Sequence, residues 1–197
     1  MNKKNTVLAA TVAGAMAVTA VAAPVSAATF TDVSDRYKEA VNYLVKENVT
    51  QGVAKDKFGT EAQITRVDAA VMIAKALKLD TKNAKPAGFT DVPKRAQGAV
   101  NALKAKGIIN GKTDKRFGAD DKITRGEMAI ILQRAYGLKG DKQLTFKDVG
   151  NRYTAAVKAM VAHNITNGMS KEKFGTNEPI KRGDFAIFLH KSATLDK

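Results

Sequence analysis

Apolar side chains fall on one helical face three times along this chain. Ala40, Val41, Leu44 and Val45 stand at i, i+1, i+4 and i+5. Ala99, Val100 and Leu103 repeat the spacing, and Ala156, Val157, Met160 and Val161 repeat it again. Each stretch predicts an amphipathic helix. A denser apolar run follows each one: Val71-Met72-Ile73-Ala74, Ala129-Ile130-Ile131-Leu132 and Phe185-Ala186-Ile187-Phe188-Leu189. Runs that are apolar on more than one face predict buried helices. The start of this second helix is written in Thr65-Arg66-Val67-Asp68 and Thr124-Arg125-Gly126-Glu127. In a Thr-x-x-acid step the Thr oxygen caps the third amide, and the acid favours the positive end of the helix dipole. The third copy, Lys181-Arg182-Gly183-Asp184, keeps the acid without the hydroxyl and is expected to start most weakly.

The helices belong to a unit written three times. Phe30-Thr31-Asp32-Val33 returns as Phe89-Thr90-Asp91-Val92 and as Phe146-Lys147-Asp148-Val149. Gly52, Gly111 and Gly168 follow the first helix, and then come Phe58-Gly59, Phe117-Gly118 and Phe174-Gly175. From Asp to Gly the distance is 20 residues in every copy, and from Asp to Arg66, Arg125 or Arg182 it is 34. Length varies only between copies. Units this short, with two helices each, bury little alone. The expected fold is therefore all-α: three helix–loop–helix repeats sharing one core, with the second helices in the middle. The phenylalanines are expected to plug that core. The glycines are expected where the backbone needs positive φ or a close approach.

The N-terminal stretch reads differently. Lys3 and Lys4 precede an Ala/Val-rich run from Thr6 to Ala22, and Pro24-Val25-Ser26-Ala27 follows. This is the pattern of a secretory signal peptide, residues 1–27, cut after Ala27. The repeats then divide as 28–85, 86–142 and 143–197, and no later segment is apolar enough to span a membrane. The whole chain has 33 Lys+Arg against 19 Asp+Glu, a net charge of +14. Removing the two leader lysines leaves +12. A secreted basic chain points to anionic partners: wall polymer, membrane surface or nucleic acid. The absence of cysteine removes disulfide frameworks, thiolate metal sites and cysteine nucleophiles.

Catalysis has little to stand on. His163 and His190 occur in the third copy alone, and no His-Glu-x-x-His or Gly-x-Ser-x-Gly pattern is present. Asp68, Glu127 and Asp184 are sufficiently explained as helix-start acids. No cofactor and no metal ion are expected. Arg66, Arg125 and Arg182 carry the most information. A cation in the first turn opposes the helix dipole, at a cost of roughly 0.3–1 kcal/mol. Three such misfits at fixed spacing need a reason. One reason is an ion pair with Asp32, Asp91, Asp148 or the nearby helix acid. The other is an anion held jointly by the planar guanidinium and free helix amides. Lys57, Arg116 and Lys173, just before the Phe-Gly steps, could line the same groove. On this reading Arg125→Ala weakens binding without unfolding, because the Thr124/Glu127 cap remains.

These residues carry a family resemblance. Phe-x-Asp-Val, Ala-Val-x-x-Leu, Gly-Ile-Ile-x-Gly, Phe and Ile-Thr-Arg-x-Glu, in three tandem copies, are similar to the S-layer homology domain. The second copy matches best, through Gly107-Ile108-Ile109-Asn110-Gly111 and Ile123-Thr124-Arg125-Gly126-Glu127-Met128-Ala129. The resemblance covers residue 29 to about 192, and is to the anchoring region of bacillus-type S-layer proteins. It implies a pseudo-threefold bundle whose grooves hold a peptidoglycan-linked secondary cell wall polysaccharide, commonly through a pyruvylated sugar. The helix-start arginines would recognise the pyruvate carboxylate. The implied protein is a non-catalytic anchor, secreted to the Gram-positive wall, with S-layer lattice subunits as further partners and no nucleic acid. A targeting module of a wall-active enzyme and a nonspecific polyanion binder are the alternatives. Two departures stand out. The loops lack the family's Gly-Tyr-x-Asp-Gly-x-Phe pattern, and copy three has Lys181 for Thr, so its groove is expected to be altered.

Overall fold

The computed structural model describes residues 30–195. The stretch read as a signal peptide lies outside the described residues. Six α-helices follow one another: α1 Asp35–Lys46, α2 Arg66–Ala76, α3 Lys94–Ala105, α4 Arg125–Tyr136, α5 Asn151–Ala162 and α6 Arg182–Ala193. Each repeat supplies two. The amphipathic first helices α1, α3 and α5 bury one face each. The second helices α2, α4 and α6 bury residues around much of their circumference, as their denser apolar runs require.

The helices pair across repeats. α2 packs on α3, α4 on α5, and α6 returns to pack on α1, while α6 also touches α2 and α4. About twenty residues separate the two helices of a repeat, too many for a tight helical hairpin. Each second helix instead lies on the first helix of the next repeat. The third repeat closes on the first, so the array is a ring. All-α architecture with a shared centre is what the repeat pattern predicts.

A backbone collar fastens the ring. The Ile64 amide donates to the Ile180 carbonyl at 3.2 Å, Ile180 to Ile123 at 3.0 Å, and Ile123 back to Ile64 at 3.3 Å. All three isoleucines are buried. Each lies just before a second helix, so the collar brings the three helix starts together. Phe58, Phe117 and Phe174 are fully buried, and each meets the Phe of its own Phe-x-Asp-Val segment, with ring centroids 5.8, 5.7 and 5.7 Å apart.

Each first helix ends on a residue in the left-handed conformation. Asn48, Gly107 and Asn164 take the left-handed conformation at φ of 56°, 68° and 53°. The following amides of Val49, Ile108 and Ile165 then reach back to the Leu44, Leu103 and Met160 carbonyls. Gly52, Gly111 and Gly168 therefore do not stop the helices. They lie beyond, where a Cβ would collide with the Phe30, Phe89 or Phe146 ring and with a loop carbonyl.

Candidate functional site

The three arginines are buried, with 7%, 6% and 7% of Arg66, Arg125 and Arg182 exposed. Each reaches into the loop of the next repeat. Arg66 Nε donates to the Phe117 carbonyl at 3.0 Å, Arg125 Nε to Phe174 at 2.8 Å, and Arg182 Nε to Phe58 at 3.0 Å. Each guanidinium also lies over the ring of that phenylalanine, 4.8, 5.1 and 4.9 Å from the centroid. Burial pushes all three below the usual arginine pKa, and acids oppose this: Glu127 and Asp121 at Arg66, Asp184 and Asp148 at Arg125, Asp68 at Arg182.

Asp32, Asp91 and Asp148 have other work. Asp91 Oδ1 accepts from the Phe117 amide at 2.7 Å, and Oδ2 from Gly118 and Ala119 at 2.7 and 3.0 Å. Asp32 holds Phe58, Gly59 and Thr60 in the same way, and Asp148 holds Phe174, Gly175 and Thr176. Burial raises these carboxyls, but the amides outweigh it and hold them below the usual carboxylate range. Among the described residues no ion pair joins these aspartates to the arginines. That corrects the expectation for the repeated aspartates, while the helix acid Glu127 does lie 3.9 Å from Arg66 Nη1; the aspartate shapes the very loop whose carbonyl the neighbouring arginine binds.

The helix amides are not free either. The Arg66 and Val67 amides donate to the Asp121 and Ala119 carbonyls, Arg125 and Gly126 to Glu178 and Thr176, and Arg182 and Gly183 to Ala62 and Thr60. The third amide is capped by Thr65 at Asp68 and by Thr124 at Glu127, each at 3.2 Å. Glu127 Oε2 also accepts from the Thr124 amide at 3.2 Å, completing a capping box. Lys181 provides no side-chain cap for α6. An anion held by open helix amides is thus ruled out at Arg66 and Arg125, where the first three amides are occupied. At Arg182 the first two are.

What the arginines do line are three grooves between repeats. One, of about 310 Å³, holds Arg66 with Gly111, Lys112, Glu127 and Arg152. The next, of about 500 Å³, holds Arg125 with Gly168, Met169, Asp184 and Arg36. The last, of about 280 Å³, holds Arg182 with Gly52, Asp68 and Lys75. Each groove takes its arginine from one repeat and its glycine and acid from the next. The remaining repeat brings a further arginine towards each acid. Arg36 Nη2 meets Asp184 at 2.7 Å, Arg95 Nη2 meets Asp68 at 3.0 Å, and Arg152 lines the groove beside Glu127. Sequence reasoning passed over these three residues, although each stands four places after its repeated aspartate.

Lys57, Arg116 and Lys173 lie outside the lining of these grooves. Lys57 donates to the Thr31 hydroxyl at 2.6 Å, Arg116 pairs with Asp121 at 2.9 Å and Lys173 with Glu178 at 3.1 Å. Each partner belongs to the same repeat as its cation, on the outer side of the loop. The expectation that they line the grooves is corrected accordingly. His163 Nε2 lies 2.9 Å from the Lys139 carbonyl oxygen, and His190 packs on Tyr43 at 4.8 Å between centroids.

A family model described as the S-layer homology domain matches residues 29–70, 88–129 and 145–186. The chain is 31% identical over 97% of its length to a surface-layer 125 kDa protein of Lysinibacillus sphaericus, spanning 17% of that protein. It is 35% identical over 97% of its length to the S-layer protein sap of Bacillus anthracis, spanning 24% of it. It is 33% identical over 71% of its length to a protein of Bacillus anthracis named as a cell wall amidase, spanning 27%. The chain thus covers about a quarter or less of the length of its S-layer relatives.

Proposed function

The chain belongs to the S-layer homology family, and on that footing we propose that it is a non-catalytic anchor for the bacterial cell wall. Its ligand is an anionic secondary wall polysaccharide, bound in the grooves between repeats through a carboxylate such as that of a pyruvylated sugar. The observation that carries this is the buried arginine in each groove wall, held rigidly by a loop carbonyl and an aromatic ring. A fixed guanidinium presents a planar donor edge with little entropy left to lose on binding. The S-layer names of its relatives support a surface location, and the amidase likeness supports the same module serving wall enzymes. The Gly residues and helix-start acids shape the grooves rather than react.

The test is sedimentation with purified Gram-positive walls, with pyruvate intact or removed, at low and near-physiological salt. Binding that survives salt and vanishes with the pyruvate supports the anchor. Binding that ignores pyruvate and fades with salt reduces the function to charge attraction.

A further inference from the structure

The three grooves have the same plan but different donor inventories. Arg66 commits two nitrogens to protein: Nε to Phe117 and Nη2 to the Asn110 carbonyl at 2.7 Å. Its Nη1 also lies 3.9 Å from Glu127. Arg182 likewise commits Nε to Phe58 and Nη2 to the Thr50 hydroxyl at 2.7 Å. Arg125 commits Nε alone, to Phe174. Among the described residues its two terminal nitrogens have no hydrogen-bond or ion-pair partner, although the residue is only 6% exposed. The nearest helix acid, Asp184, is drawn away to Arg36 at 2.7 Å.

Resting on the anchor reading above, we propose that the grooves are unequal and that the one holding Arg125 is the principal carboxylate subsite. The uncommitted end of the Arg125 guanidinium opens on the groove, where a carboxylate can take two parallel hydrogen bonds at once. The Arg125 guanidinium carbon lies 5.1 and 5.0 Å from the ring centroids of Phe174 and Phe188, two aromatic contacts that restrict its movement. The groove is also the roomiest of the three, at about 500 Å³. Met169, 56% exposed on its lip, offers an apolar contact beside the charge. A glycan unit carrying one carboxylate next to an apolar substituent fits this pairing. At the Arg66 groove the spare cation is Arg152, which is exposed and rests on one ring, that of Tyr153 at 5.4 Å. At the Arg182 groove both arginines are already bonded, Arg182 to the loop and Arg95 to Asp68, and the other lining cation is Lys75, a point charge without the guanidinium fork. This groove contributes least.

The experiment compares the unaltered chain with R66K, R125K and R182K, each titrated calorimetrically with wall polysaccharide released from peptidoglycan with its acid groups intact. Lysine keeps the charge and loses the fork. R125K is expected to weaken binding at least tenfold, and the other two less than about threefold. Side-chain ¹⁵N spectra of the unaltered chain give a reading independent of folding: the Arg125 guanidinium signals shift on titration while those of Arg66 and Arg182 stay. A larger loss in R66K or R182K, equal losses in all three, or unmoved Arg125 signals would overturn the preference while leaving the anchor intact. No binding by the unaltered chain overturns the anchor reading and the preference with it.

Discussion

Arg182 Nε donates to the carbonyl oxygen of Phe58 at 3.0 Å, across 124 residues of chain. This bond joins the last second helix to the first loop and so closes the ring. A hydrogen bond from a charged donor is worth about 1.5–3 kcal/mol, and removing the donor leaves a buried carbonyl unpaired. Arg182→Ala is therefore expected to lower stability by at least that range in urea titrations. Arg182→Lys should recover only part, because an ammonium cannot satisfy Phe58 and Thr50 together in the guanidinium's plane. Wild-type stability in Arg182→Ala would mean that the closure is held elsewhere.

The same bonding revises the expectation for Arg125→Ala. The Thr124 cap does survive that substitution, but the Phe174 carbonyl loses its donor and two rings lose their cation contact. The variant should lose stability by roughly 1.5–3 kcal/mol as well as binding. Melting curves alongside binding isotherms separate the two effects.

Ring closure also predicts how the chain unfolds. Deleting residues 178–197 removes α6 from α1 and takes the Ile180 carbonyl from the Ile64 amide. The expected result is loss of helical circular dichroism well beyond that of one helix, since α1 would expose its apolar face. A linear stack would behave differently, losing only its terminal contribution. Retention of the remaining helical signal with an unchanged melting midpoint would contradict a closed ring.

Most of the secondary structure was legible in the residues. Thr65 and Thr124 mark the starts of α2 and α4, and the buried runs at Val71, Ala129 and Phe185 mark the central helices, because local hydrogen bonding and burial fix both features. The partners of charged groups were not legible. Asp91 and Arg125 lie 34 residues apart in one repeat, and an ion pair between them was a natural guess. The ring places Arg125 against the next repeat instead, while Asp91 turns to its own loop amides. Nothing local in the sequence states which neighbour closes on which. Arg36, Arg95 and Arg152 were readable by position, and were obscured by the general abundance of basic residues.

The loop aspartates set an acid limit. Loop amides hold the carboxyls of Asp32, Asp91 and Asp148 below the usual range against the effect of burial. Folded values below unfolded ones mean that the stabilisation is complete above the unfolded pKa of about 4 and is lost as pH falls through the folded values. Urea midpoints should accordingly drop as the pH falls below about 4. Asp91→Asn should cost roughly 1–3 kcal/mol near neutrality, since its amide end cannot accept from the loop. It should also flatten the acid slope. A slope unchanged in Asp91→Asn would place the acid sensitivity on other groups.

Two glycines separate backbone strain from crowding. Gly168 has φ of +79° and Gly88 has φ of +81°, but they differ in surroundings. A Cβ at Gly168 would collide with the Phe146 ring and the Lys173 carbonyl, whereas one at Gly88 meets nothing within 4 Å. Gly88→Ala should cost about 1 kcal/mol of backbone strain alone. Gly168→Ala should cost clearly more, because either the Phe146–Phe174 pair or the groove wall must move. Equal melting midpoints for the two variants would show that the loop yields freely.

The outer cations supply the last test, because they separate a site from a charge. Lys57, Arg116 and Lys173 face partners in their own repeats and lie outside the groove linings. Changing all three to Gln removes three positive charges while leaving every groove arginine in place. Diffuse attraction should weaken, so wall binding at low salt is expected to fall modestly and to depend less steeply on salt. At near-physiological salt, where exposed charges are screened beyond about 8 Å, binding should match that of the unaltered chain in the sedimentation assay. A collapse as deep as that of Arg125→Lys at the same salt would place recognition on the outer face of the loops and away from the grooves.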